Sequence, residues 1–364
     1  MPTFIPGIVL SREFYISEVR PLLDIHFPHL PHAAGLLGTG SDVLGFDDPI
    51  STDHNWGPTV LIFLTDDDFH LNQEINQILR RELPYEFCSY PVNVEEVPDE
   101  PGTVIMKPIS TGPVNHRIFL TTVRKFIQHH LGFDTDQPLL TLDWLTFPSQ
   151  KLRSFTSGSV HFDSAGDLTK QRARFAYYPH GIWLYLQACG WKRIEQEEHL
   201  MPRAGYAGDE LGSAIIASRL VRDIMNLCFL MEKVYAPYPK WFGSAFNQLK
   251  CAPKFNPLLW RAQHADDWSQ REAALCEAYQ QLAAMHNQLG ITDQLPEKVT
   301  SFHGRPFQVI HGELFTNAIL ERINDPEVKR IAAVGLIGGI DQFSDSTDLR
   351  SDPSWRKRIR ALYK

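Results

Sequence analysis

The chain has 364 residues, 43% of them hydrophobic and 21% charged, so it is long enough for two or three domains and too apolar to be disordered over much of its length. A formal net charge of −8 argues against a broad nucleic-acid-binding surface, which would more often be basic. The five cysteines are odd in number and form no C-x-x-C pair, which argues against a disulfide framework or a cysteine zinc site.

In chain order, SREFYISEVRPLLDIHF places Phe14, Ile16, Val19, Leu22 and Leu23 near helical spacing, with Ser11 as a cap and Pro28 and Pro31 as stops. This predicts a helix over 11–32. A Gly-rich turn follows, and then TVLIFLT (59–65) reads as a strand. The stretch 70–83 reads as a helix with Leu71, Ile75, Ile78, Leu79 and Leu83 on one face, and 85–97 alternates like a strand until PDEPGT breaks it. A helix fits 117–131, and FTSGSVHFD (155–163) fits a strand ending in the turn SAGD.

From about residue 168 the pattern turns helical. The run to about 200 is interrupted at Pro179–Gly181, 211–235 is apolar on most sides as a buried bundle helix would be, and 269–290 stops at Gly290. Two shorter helices are expected to close the chain. The expected fold is α+β: a small mixed-sheet domain over 1–167, then a helical-bundle domain over 168–364. No apolar run approaches bilayer length, and MPTFIPGIVLSREFY lacks a basic segment leading into a long apolar core. The expectation is a cytoplasmic protein without a membrane partner.

The stretch with the most chemistry is GTGSDVLGFDDPISTDHNWGP (38–58). Phosphoryl and nucleotidyl transfer require a triphosphate placed in line with its charge neutralised, usually by magnesium. Gly40 and Ser41 offer backbone N–H groups and a hydroxyl at a turn with no bulky side chain in the way. Asp53 and Asn55 lie two apart, so on a strand both would point to one face and share a magnesium ion. His54 would then point to the other face, as a core or supporting residue.

The pattern G-S-x3-G-x5-S-x-D-x-N-W-G-P resembles the glycine-serine and Asp-x-Asp signature of the polymerase-β-like nucleotidyltransferase superfamily, which includes antibiotic nucleotidyltransferases acting on kanamycin and lincosamides. The resemblance extends along nearly the whole chain. DWLTFPSQKL, RFAYYPHGIWLY, GDELGS, RLVRDIMNLCFLMEKVYAPYPKWFG and LIGGIDQFSDSTDL look like a bacterial and fungal family of nucleotidyltransferase-like proteins.

The resemblance implies a nucleotidyltransferase domain followed by a helical bundle, with the nucleotide between them. It assigns Gly40 and Ser41 to the phosphate turn and Asp53 to the first metal carboxylate. Asn55 departs from it, standing where the usual form DHDWG has the second carboxylate, and an amide brings no charge to a divalent ion. Asp47 and Asp48 are nearby acids in the loop. For the third carboxylate of such enzymes, metal ligand or general base, Asp163 in SVHFDSAGD is the first candidate and Asp143 the second, against ordinary use as turn or cap residues. Lys240, a compact charge suited to phosphate, is placed near the triphosphate.

The implied cofactors are Mg2+ and an NTP, ATP foremost, and the implied partner is a small-molecule acceptor with a hydroxyl. The expected function is nucleotidyl transfer to that hydroxyl. The competing reading is a catalytically weakened nucleotide-binding or protein-interaction module. Among other residues, Asp209 reads as a helix cap. Tyr177, Tyr178, His180 and Trp183 read as packing groups, with stacking on a substrate as their other possible use.

Overall fold

The apolar run TVLIFL forms a strand, Thr59–Leu64, buried along its whole length, as an unbroken apolar run is when both faces of its sheet are covered. In this computed structural model, which describes residues 3–364, that strand (β2) lies inside a four-stranded mixed sheet. Its neighbours are His32–Leu36 (β1), antiparallel, and Arg117–Thr122 (β7), parallel; Ser159–Asp163 (β8) pairs antiparallel with the far side of β1. The sheet and its helices belong to the first of two compact units, comprising the chain to Pro138 together with Lys151–Ala176. The second unit comprises Leu139–Gln150 and Tyr177–Lys364. The architecture is α+β, as expected.

β1 has the sequence HAAGL, with no β-branched residue, and only its neighbours explain it. A Cβ on Gly35 would lie 2.6 Å from the carbonyl oxygen of Ser159, and the register of β1 against β8 shifts between Ala34 and Gly35. The missing side chain therefore lets two backbones approach at an irregular pairing. The segment 117–131, expected as one helix, is divided. Residues 117–122 form β7, with Ile118 buried and Phe119 exposed in strand alternation. The Thr122 hydroxyl then accepts the Lys125 N–H at 3.2 Å and caps the helix Val123–Leu131 (α5).

The expected strand over 85–97 is broken into short pieces. Glu86–Phe87 (β3) and Tyr90–Pro91 (β4) form a hairpin through Cys88 and Ser89, both at positive φ, as a two-residue turn that matches strand twist requires. Val94–Glu96 (β5) pairs with Val104–Met106 (β6). The expected strand over 155–163 starts only at Ser159, after the helix Ser149–Thr156 (α7).

The leading helix runs as Gly7–Phe14 (α1) and Arg20–His26 (α2), joined by a π-helical stretch, Tyr15–Val19. The wide turn falls just before Pro21, whose ring and missing N–H disturb a regular ladder. Phe14, Val19 and Leu23 of this helix meet Val60, Ile62 and Leu64 of β2 and Ile75 and Leu79 of Asn72–Glu82 (α4) in one apolar core. On the other face of β2, Phe63 meets Phe126 edge-on at 5.5 Å.

The second unit is helical. Thr141–Thr146 (α6), His180–Glu198 (α9), Leu200–Tyr206 (α10), Glu210–Met231 (α11), Ala252–Gln263 (α13) and Trp268–Gln288 (α14) lead to Gly312–Arg322 (α15), Pro326–Val334 (α16) and the single turn Ile340–Phe343 (α17). Asp209 caps α11 by accepting the Gly212 N–H at 2.8 Å, and Gly290 follows α14 in the left-handed region. Trp191 of α9 stacks on Phe315 of α15, centroids 4.0 Å apart. Among the described residues no helix is long and apolar enough to cross a membrane.

Candidate active site

β1 and β2 run antiparallel with His32 opposite Leu64 and Gly35 opposite Leu61, so the end of β1 and the start of β2 share one end of the sheet. There the chain leaves β1 through Gly38–Ser41 and returns to β2 through Asp53–Asn55. β7 starts at the same end, with Arg117 opposite Thr59.

Gly40 has φ +154°, and a Cβ there would lie 2.1 Å from an Asp42 carboxylate oxygen, so the turn requires glycine. Ser41 opens the four-residue helix Ser41–Leu44 (α3). Asp42 curls its carboxylate back over the turn and accepts the Val43 N–H at 2.9 Å. Burial pushes its carboxyl up to about 6; the nearby Asp47 charge adds to the shift, while the Val43 N–H and Arg117 oppose it. Asp47 accepts the Gly7 N–H at 2.6 Å and the Trp56 indole N–H at 3.1 Å. Arg117 donates through Nε to the Thr59 hydroxyl at 2.9 Å and through Nη2 to the Asn55 carbonyl at 2.8 Å. Burial lowers its pKa and the Asp42 charge opposes that.

Asp53 ends a 3₁₀-helix, Pro49–Asp53, that Asp48 caps by accepting the Ile50 and Ser51 N–H groups, each at 3.0 Å. The Asp53 carboxylate is exposed and lies 2.9 Å from His54 Nδ1, and this hydrogen bond holds its carboxyl below the usual range. His54 is therefore an exposed partner of Asp53 and not a core residue. Asp53 and Asn55 are not on a strand either: β2 begins at Thr59, and Asn55 has φ +51°. The shared face that strand geometry would give this pair is absent. Asn55 Oδ1 accepts the Val104 N–H at 3.1 Å.

Asp163 is not brought to this end of the sheet. It pairs with Ala33, which stands opposite Phe63, four strand residues (~13 Å) from Thr59. Its oxygens accept the Gly166 N–H at 3.0 Å and the Thr169 N–H and hydroxyl, each at 2.8 Å, tying β8 to the helix Asp167–Arg174 (α8). The turn SAGD had signalled this use. Asp143 belongs to the second unit, where it is buried and ion-paired with Arg356 and Arg360. Lys240, also in the second unit, is exposed with Nζ 4.9 Å from the Trp241 ring centroid.

Among the described residues no group of three or more His, Cys, Asp or Glu side chains is arranged to hold a metal ion. Magnesium seldom uses an all-protein cage; it is commonly bound by one or two carboxylates together with substrate phosphates. The exposed Asp53 carboxylate fits a magnesium ion arriving on a triphosphate. Asn55, with one lone pair already engaged, fits less well. Sequence reasoning passed over Asp42 and Arg117. The only signal for Asp42 was its place directly after Ser41, and Arg117 was hidden by the helix expected there.

A family model described as a domain of unknown function, DUF4037, matches residues 144–242. Among solved structures, the chain is similar to a crystal structure of a nucleotidyltransferase-like protein from Exiguobacterium sibiricum 255-15, with 10% sequence identity and a TM-score of 0.32 over 78% of this chain and 77% of that one. A search of curated proteins returns no match.

Proposed function

We propose that this chain is a nucleotidyltransferase whose first unit binds a nucleoside triphosphate with magnesium, ATP foremost, and transfers the nucleoside monophosphate to a hydroxyl of a small molecule. One observation carries the reading. The glycine-dependent Gly40–Ser41 turn and the Asp53 segment leave and enter adjacent antiparallel strands at the same end of the sheet. In this reading the N–H groups of the turn and the Ser41 hydroxyl bind phosphate oxygens. Asp53 would hold the magnesium, which neutralises triphosphate charge when bound. The acceptor oxygen bonds to the α-phosphorus, the bond to the bridging oxygen breaks, pyrophosphate leaves and the hydroxyl proton passes to solvent.

Asn55 favours a second reading, in which nucleotide is bound and transfer is slow. Its carboxamide adds no charge, and Oδ1 already accepts the Val104 N–H.

The test uses the full chain with ATP and magnesium, measuring binding by calorimetry and pyrophosphate release with a mixture of hydroxylated acceptors. Transfer predicts both signals, with both lost in Asp53→Ala. Binding without release, converted to release by Asn55→Asp, selects the second reading. Absence of binding at millimolar ATP with magnesium overturns both.

A further inference from the structure

The second unit has a pocket of its own, about 500 Å³ including space open to solvent. Its walls include Trp144 of α6, Tyr178 just before α9, Phe229 of α11 and Tyr235 beyond α11. Tyr178 stands steeply to two of the others: its centroid is 6.0 Å from that of Trp144 with 68° between the planes, and 5.0 Å from that of Tyr235 with 82°. A flat heterocycle stacks best between parallel rings. Walls of non-parallel rings leave no such slot, and a compact positive charge, drawn to any ring face it meets, suits them better.

The polar groups of the pocket agree with that. Asp341 of α17 accepts the Ser149 N–H at 2.7 Å through one carboxylate oxygen; its other oxygen is ion-paired with Arg350, Nη1 at 3.6 Å, but is buried and accepts no hydrogen bond from the described residues. Burial, and after it the Asp341 charge, raises the Tyr178 phenol well above its ordinary range, so carboxylate and phenol interact electrostatically. Among the described residues the Tyr178 hydroxyl and the Asn226 carboxamide, both in the pocket wall, make no hydrogen bond to the protein. Gln342, also at the wall, is by contrast committed: it donates to the Leu186 carbonyl at 2.8 Å and accepts the Gly339 N–H at 3.2 Å.

We infer that this pocket binds a small organic cation through a compact alkylammonium group, enclosed by the rings of Trp144, Tyr178 and Tyr235 and attracted by the Asp341 oxygen that accepts no hydrogen bond from the protein. The hydroxyl of Tyr178 and the carboxamide of Asn226 supply hydrogen bonds to the rest of the ligand. This inference does not depend on the nucleotide reading, since every group it uses belongs to the second unit.

Choline is the probe, titrated into the full chain and followed by calorimetry and tryptophan fluorescence. Its neutral isostere 3,3-dimethylbutan-1-ol is the control. Saturable choline binding is expected, with the isostere at least ~10-fold weaker because it lacks the charge. Asp341→Asn keeps an acceptor for the Ser149 N–H and is expected to weaken choline binding about 10-fold. Tyr178→Leu, checked for fold by circular dichroism, should weaken it to a similar extent. Equal binding of choline and isostere overturns the inference, as does an unchanged affinity in both folded variants, or no saturation by ~100 mM choline. Adenosine binding that is lost in Tyr178→Leu, with choline not binding, overturns it in favour of a flat heterocycle.

Discussion

Asn55 and Val104 clasp each other through two hydrogen bonds: Val104 donates its N–H to Asn55 Oδ1 at 3.1 Å, and Asn55 donates its own N–H to the Val104 carbonyl at 2.7 Å. Arg117 adds a third bond, on the Asn55 carbonyl at 2.8 Å. The hairpin of β5 and β6 thereby pins the segment entering β2. The clasp holds Asn55 at φ +51°, a left-handed backbone that asparagine and aspartate tolerate better than most residues. The position where the resemblance leads one to expect a metal carboxylate therefore has a structural task of its own.

That task separates two substitutions. Asn55→Asp keeps an acceptor for Val104 and a residue suited to the backbone, so its stability should stay within about 1 kcal/mol of wild type. If Asp53 holds magnesium, the added charge should tighten binding of ATP with magnesium. Asn55→Ala loses the acceptor and puts a less tolerant residue at positive φ, for a loss of about 1–3 kcal/mol. Thermal melting with calorimetric titration of ATP reads both effects.

Asp163→Ala removes an acceptor of three hydrogen bonds from Gly166 and Thr169. The expected loss is about 1–2 kcal/mol, the scale of a lost cap. Because Asp163 lies toward the opposite end of the sheet from the Gly40–Ser41 turn, ATP affinity should be unchanged in the folded variant. A selective loss of ATP binding with normal stability would restore Asp163 to the site.

The contrast between these residues shows what could be read from the chain alone. β2, α11 and α14 announce themselves because their apolar patterns are long and local. β1 does not, since HAAGL is a strand only through the close approach of β8 to Gly35. β7 was hidden because residues 117–131 satisfy helical spacing until Thr122 switches the chain from strand to helix. That Gly40 and Ser41 form a turn was legible, because the turn requires glycine in the sequence itself. That Asp163 could serve as a turn residue was also legible, but its distance from Asp53 depends on the register of β8 against β1. Asp42 became visible only once folding placed Asp47 and Arg117 around it.

Asp42 should leave a mark on stability against pH. Its carboxyl stands at about 6 in the folded chain against 3.8 for an ordinary aspartate, chiefly through burial. Between those values the folded state binds more protons than the unfolded state. Stability contributed by the protonated group is therefore full below about 4 and is lost as pH rises toward 6. The loss is on the order of 2 kcal/mol after allowance for partial solvent contact. Asp42→Asn should flatten this part of the curve and be the more stable protein at pH 7. Urea unfolding from pH 4 to pH 7 measures it, and an unchanged slope in the variant would show that Asp42 does not carry the effect.

Glu198 offers a second and independent case, in the helical unit. It is buried on α9, and its carboxylate accepts the Ile310 N–H at 2.6 Å and the Gly312 N–H at 3.1 Å, holding the start of α15. Burial pushes its carboxyl up to about 7 from 4.5 although both N–H groups oppose the shift. The sign is the same as for Asp42, but the window is higher: stability is lost as pH rises from about 4.5 to about 7, by on the order of 3 kcal/mol. Glu198→Gln keeps one acceptor and cannot ionise, so it should be less stable than wild type at pH 4.5 and nearly equal or better at pH 8. Glu198→Ala leaves two buried N–H groups without their partner and should cost about 2–4 kcal/mol at pH 4.5, a cost that shrinks by the same ~3 kcal/mol at pH 8 because the variant cannot ionise either. Hydrogen exchange at Ile310 and Gly312 localises the effect: faster exchange in the alanine variant at pH 4.5, with glutamine close to wild type at pH 8, is the expected pattern. Equal exchange in all three proteins would mean that α15 is held by the Trp191–Phe315 stack and not by Glu198.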